Sequence, residues 1–228
     1  MTDLRLTPVE IALPFTGRWL AMNSPARRVP SHGVDVLGQR YAIDFVGVDE
    51  RHRDAGRTDW RTWLHTEPPQ RFYAFGRPIL APADGVVVAV HDGEPDHDAH
   101  RSQLTLVAYM FGQVGRLRQG PAAVAGNHVV IELGRGGVFV ALVHLRRGSL
   151  RVSVGDGVVT GQQLAECGNS GNSTQPHVHV QLMDSVDLAV ARGVPVLFRG
   201  YREWSRGPEH PTLVASGVPG ERTVVEPV

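Results

Sequence analysis

Apolar residues along this chain fall into short, β-branched runs separated by turn-forming residues. The runs PILAPADGVVVAV (78–90), NHVVIEL (127–133), GVFVALVHL (137–145), LRVSVGDGVV (150–159) and HVHVQL (177–182) read as strands. PADG, LGRGG, VGDG and GNSGNS punctuate them with residues that turn the backbone. With 26 glycines and 16 prolines, this spacing predicts a mostly β assembly with few short helices.

Two stretches break the pattern. Residues 49–70 read as a charged loop or short helix with tryptophans on one side. Residues 91–126 open on the acidic, histidine-rich HDGEPDHDAH and read as an insertion between two strands, with an apolar segment at 104–111 placed to pack over the sheet. SVDLAVAR (185–192) suits one or two helical turns, and the terminal ERTVVEPV an edge strand or a disordered end.

Composition narrows the function. A chain of 228 residues suits one domain, here 1–228, with a core at about 28–200. Basic and acidic residues balance at 23 each, which removes the main argument for nucleic acid as a partner. All 23 basic residues are arginine, so chemistry that needs a lysine amine is excluded. A single cysteine, Cys167, excludes an internal disulfide and a multi-cysteine metal site. No apolar run has the length of a membrane span, about 18 residues or more. The first residues lack a signal-peptide pattern, so a cytoplasmic protein is expected, or a secreted or envelope-associated one if a leader has been removed or another export route serves.

The candidate chemistry lies in STQPHVHVQL (173–182). On a strand, residues two apart share a face, with Cα atoms about 6.7 Å apart. His177 and His179 therefore stand side by side, able to bind one ion, or one to bind it while the other reaches its water.

The surroundings of this pair resemble the lysostaphin-like, LytM-type zinc metallopeptidases. VHLRRGSLRVSVGDGVVTGQQLAECGNSGNSTQPHVHVQL (143–182) is similar to that family's histidine–leucine pair, glycine-rich hairpin and terminal His-x-His motif, in the family's order. GRPILAPADGVVVAV and GNHVVIEL resemble its two preceding strands, with 49–70 and 91–126 as unmatched insertions.

The resemblance implies a duplicated-hybrid-motif fold, an antiparallel β-sheet core with the metal in a substrate groove. It implies one zinc ion per chain, held by His32, Asp44 and His179. The family's usual spacing of four between its first histidine and aspartate is not kept. Asp44, between apolar residues in YAIDFV, is favoured over Asp35, which lies among glycines in a turn context where aspartate is ordinary. By the same resemblance His144 and His177 are the unligated catalytic histidines. One takes the proton of a zinc-activated water and passes it to the leaving amine, and the other stabilises the oxyanion. Spacing favours His177 as the base. The implied activity is an endopeptidase acting on peptidoglycan cross-links or similar small peptides. The alternative is a non-catalytic LytM-like domain that binds cell wall or a partner protein. A cupin-like enzyme also uses His-x-His, but its later strand histidine has no counterpart here.

Other residues carry weaker signals. His128 reads as a strand-edge histidine that could line the cleft. The acidic and histidine-rich 91–100 reads as a solvated loop rather than a second metal site. Asn127 and Ser173 are candidates for positioning substrate or for buttressing the turn, and Cys167 for a small buried filler. Oligomeric state is left open by the sequence.

Overall fold

A computed structural model describes residues 7–56, 65–100, 124–134, 136–205 and 210–228. The apolar segment 104–111 and the centres of both expected insertions, 57–64 and 101–123, lie outside the described residues. In chain order the strands are β1 (Val9–Ala12), β2 (Trp19–Met22), β3 (Ile43–Gly47), β4 (Pro78–Leu80), β5 (Gly85–His91), β6 (Asn127–Leu133) and β7 (Phe139–Leu145). They continue as β8 (Gly157–Val158), β9 (Gln163–Glu166), β10 (Val178–Met183), β11 (Gly193–Val194), β12 (Val196–Trp204), β13 (Thr212–Gly217) and β14 (Val224–Pro227).

Among the described residues the main sheet runs β1-β12-β14-β2-β3-β10-β7-β6-β5-β8, with β11 beside β10 and β13 beside β12; β4 and β9 pair separately. Pairing is antiparallel except between β1 and β12. The mostly β expectation holds.

Alternation along the central strands separates core from site. Ile43 and Phe45 of β3, Val178, Val180 and Leu182 of β10, Val140 and Leu142 of β7, and Val129 and Ile131 of β6 all enter one apolar core. Phe15, Trp19, Phe45 and Phe198 anchor it through ring contacts at 4.6–5.5 Å. Full burial of each large apolar side chain contributes about 1.5–3 kcal/mol. The residues between them, Asp44, His177, His179, Gln181, Ala141, Val143, His128 and Val130, face a cavity on the opposite side of the sheet. One residue of register slip would exchange the two sets.

Several local expectations are corrected. The run 78–90 breaks into β4 and β5 at the turn between them. Of 150–159 only Gly157–Val158 pair as strand, because Asp156 caps the Ser153 amide at 2.8 Å and holds the preceding residues in a turn. SVDLAVAR forms turns without a helix. The terminal segment is neither an edge strand nor disordered: β14 lies between β12 and β2, where Val224 and Val225 are buried. The strands β1, β2, β12 and β13 were not apparent from the patterning, since their apolar runs are short or interrupted by charge.

Candidate metal centre and active site

Three strands and one loop build the site. Asp44 of β3 stands opposite His179 of β10 in the antiparallel register, and His179 stands opposite Val143 of β7. His32 arrives from the loop ahead of β3. Ligand atoms of His32, Asp44 and His179 lie within 4.8 Å of one another. The Asp44 carboxylate receives His179 Nδ1 at 2.8 Å on one oxygen and His32 Nε2 at 3.1 Å on the other. Asn23 Nδ2 donates to Asp44 Oδ2 at 2.7 Å. Asp35, the alternative carboxylate, is instead exposed and paired with Arg40.

Hydrogen bonds behind the cluster set the imidazole tautomers. Gln181 Nε2 donates to the Leu37 carbonyl at 2.8 Å, so its Oε1 must be the atom 3.0 Å from His179 Nε2. A Gln oxygen only accepts, so His179 Nε2 carries the proton and Nδ1 keeps its lone pair. The Ser31 hydroxyl donates to the Gln39 carbonyl and accepts from His32 Nδ1 at 3.0 Å, which leaves His32 Nε2 bare. With both rings neutral, two unprotonated nitrogens confront a carboxylate across 2.8 and 3.1 Å, an arrangement satisfied by a cation between them or by protons on these nitrogens. One carboxylate and two imidazoles are a suitable donor set for a divalent transition metal such as zinc. Burial opposes ionisation of Asp44, but His177, His179 and His32 outweigh it and hold the carboxyl well below the usual carboxylate range.

His144 and His177 stand beside this cluster with ring centroids 4.8 Å apart. Val143 and His144 both face the cavity because His144 adopts φ 63°, left-handed backbone that a non-glycine residue reaches only with strain. The β6–β7 register shifts there, so that His128 alone stands opposite Val143 and His144. This β-bulge resets the alternation and returns Leu145 to the core. His144 Nδ1 donates to the Ser170 carbonyl at 2.9 Å, leaving Nε2 bare. Burial, reinforced by His177 and His179, pushes the His144 pKa well below the ordinary imidazole value. His177 Nδ1 donates to the Gln175 carbonyl at 2.8 Å, and its Nε2 lies 3.7 Å from Asp44 Oδ1.

The cavity beside these residues holds about 340 Å³. Ser173 braces His177 Nδ1 at 3.1 Å, and Asn127 ties the 93–94 backbone to β6 through its side chain, so both are structural supports. His128 lines the cavity rather than a sheet edge. Asp92 and Asp96 cap backbone amides at Gly148, Arg147 and Asn169, which accounts for two of the carboxylates in the acidic stretch. Cys167 is fully buried, and burial pushes its thiol pKa upward. Sequence reasoning missed Asn23, Ser31 and Gln181. Only Gln181 carried a signal, the continuation of the same-face series His177, His179, Gln181.

Residues 96–192 match the family model described as Peptidase family M23, a span that includes His144, His177 and His179 but neither His32 nor Asp44. Among solved structures, the chain is similar to the catalytic domain of the antimicrobial peptidase lysostaphin from Staphylococcus simulans, at 17% identity and TM-score 0.40, over 78% of this chain and 88% of that one. It is also similar to the catalytic domain, carrying a point mutation, of the prophage-encoded M23 protein EnpA from Enterococcus faecalis, at 23% identity and TM-score 0.36, over 65% and 85%. A third similarity is to the M23 metalloprotease pseudoalterin from the deep sea, at 15% identity and TM-score 0.40, over 83% and 76%.

Proposed function

We propose that this chain is a member of peptidase family M23, whose model matches residues 96–192, and that it is a zinc-dependent endopeptidase that cleaves peptide bonds in peptidoglycan cross-links or similar short peptides. The observation that carries this reading is the convergence of His32 Nε2, Asp44 and His179 Nδ1 within 4.8 Å, beside a cavity shared with His144 and His177. His32, Asp44 and His179 would hold the zinc. Bound there, the ion supplies Lewis acidity, polarising a carbonyl and lowering the pKa of a water near it.

The chain's own residues manage the protons. Spacing alone favours His177 as the base, whereas the tautomers favour His144. Its bare Nε2 accepts a proton from water, while the Ser170 carbonyl holds the ring in place through Nδ1–H. His177 Nε2 lies 3.7 Å from Asp44 Oδ1, and with a proton on it would be a donor to the oxygen on which charge develops. The proton taken by His144 then passes to the leaving amine. Asn23 and Gln181 keep Asp44 and His179 aligned throughout.

Metal analysis of the purified chain, coupled to hydrolysis of short glycine- and alanine-containing peptides and purified peptidoglycan, tests the proposal. About one zinc per chain is expected, and His179→Ala should lose both metal and cleavage. Stoichiometric zinc with no cleavage of any such substrate would refute the activity.

A further inference from the structure

The sheet places a row of functional side chains across five adjacent strands. Asp44 of β3 is opposite His179 of β10, His179 is opposite Val143 of β7, His128 of β6 faces the bulge at Val143–His144, and His91 of β5 is opposite His128. Strands lie about 4.8 Å apart, so His128 is roughly 10 Å from His179 across the floor of the cavity. An extended peptide advances about 3.3–3.6 Å per residue. His128 is therefore reached two or three residues from a bond held at the metal centre.

The chemistry of this position is specific. His128 is only 8% exposed, yet it lines the cavity. Its Nδ1 donates to the Gly126 carbonyl at 2.7 Å, so the bare Nε2 is an acceptor, and it takes no partner among the described residues. Burial, opposed by that carbonyl and reinforced by His91, lowers the His128 pKa and keeps the ring neutral. Val130, Ala141, Val143 and Leu188 line the same cavity, giving an apolar wall beside one acceptor. His91 stacks on His128 at 5.7 Å, and Glu94 Oε1 lies 3.5 Å from His91 Nε2.

Resting on the peptidase reading above, we propose that His128 is a substrate-binding residue that accepts a hydrogen bond from the amino head of a lysine-like side chain, while Val130, Ala141 and Leu188 hold its aliphatic stem. An apolar stem ending in a donor matches both halves of this subsite, and a glycine would leave both unused.

The test uses fluorescence-quenched hexapeptides of glycine and alanine that carry lysine or its near-isostere norleucine at one position at a time, with the zinc-loaded full chain. Lysine should be favoured in kcat/KM by about tenfold or more at one position two or three residues from the cleaved bond. His128→Leu should reduce that ratio to near one with zinc content unchanged, and His128→Gln, which keeps an acceptor, should retain part of it. Equal rates for lysine and norleucine at every position, or a preference that survives in His128→Leu, would overturn the proposal. If the wild type cleaves neither these peptides nor purified peptidoglycan, the peptidase reading fails separately. Displacement of a fluorescein-labelled lysine peptide by the lysine and norleucine peptides then decides the role of His128 by the same ratio.

Discussion

At the scale of single residues, the site depends on where protons sit. His179 can offer Nδ1 to a metal only while its other nitrogen has an acceptor, and Gln181 is that acceptor. The Leu37 carbonyl fixes the amide's orientation in turn. Outer partners of metal-bound histidines commonly contribute 10–100-fold in metal affinity. Gln181→Met keeps the approximate volume and removes the acceptor. Its zinc affinity should fall by about 10–100-fold in competition with a chelating dye, while the fold, read by far-ultraviolet circular dichroism, stays intact. Unchanged affinity would show that His179 needs no such support. The period-two pattern that singled out His177 and His179 runs on to Gln181, so this much was readable in the sequence. The pairing of Gln181 with Leu37 was not, since 144 positions separate them.

At the scale of elements, the turn after Cys167 is joined to the entry of β6. Gly171 has φ 68° and Gly126 has φ 65°, and their backbones touch: a Cβ on Gly171 would lie 2.4 Å from Gly126 N. Asn172 N donates to Val124 O at 2.9 Å, and Asn127 N to Ser170 Oγ at 3.0 Å. This junction supplies the carbonyls that orient two histidines, Ser170 O for His144 and Gly126 O for His128. Gly171→Ala combines left-handed strain with a backbone clash and should cost about 2–4 kcal/mol in urea unfolding. Activity should fall in the folded fraction as well, because both imidazoles lose their anchors. A loss below about 0.5 kcal/mol would mean that the two segments separate freely. GNSGNS announced a turn, and the histidine–leucine pair announced a strand end. The bulge that turns His144 into the cavity had no local signature, because non-glycine residues enter left-handed backbone only when the surrounding structure compels it.

At the scale of the full chain, patterning exposed the central strands β5, β6, β7 and β10, whose alternation is long enough to read. It did not expose their neighbours: β10 lies between β3 and β7, strands distant in the sequence. Short flanking strands such as β1 and β2 bury their apolar residues only once the sheet has assembled, so their four-residue runs say little alone. The His32–Asp44–His179 cluster sits on one of these long-range junctions, with 135 positions between Asp44 and His179. A metal bound there links the N-terminal strands to the C-terminal half and favours the folded chain by mass action. At free zinc about a thousandfold above its Kd the gain is about 4 kcal/mol. For a chain of this size that corresponds to a rise in Tm of roughly 8–16 °C. Chelation should remove the rise and zinc should restore it, as followed by thermal melts. His179→Ala should melt at one temperature with or without zinc, while His128→Leu should keep the full zinc-dependent shift. A shift that persists in His179→Ala would place the stabilising ion elsewhere and separate the metal from this cluster.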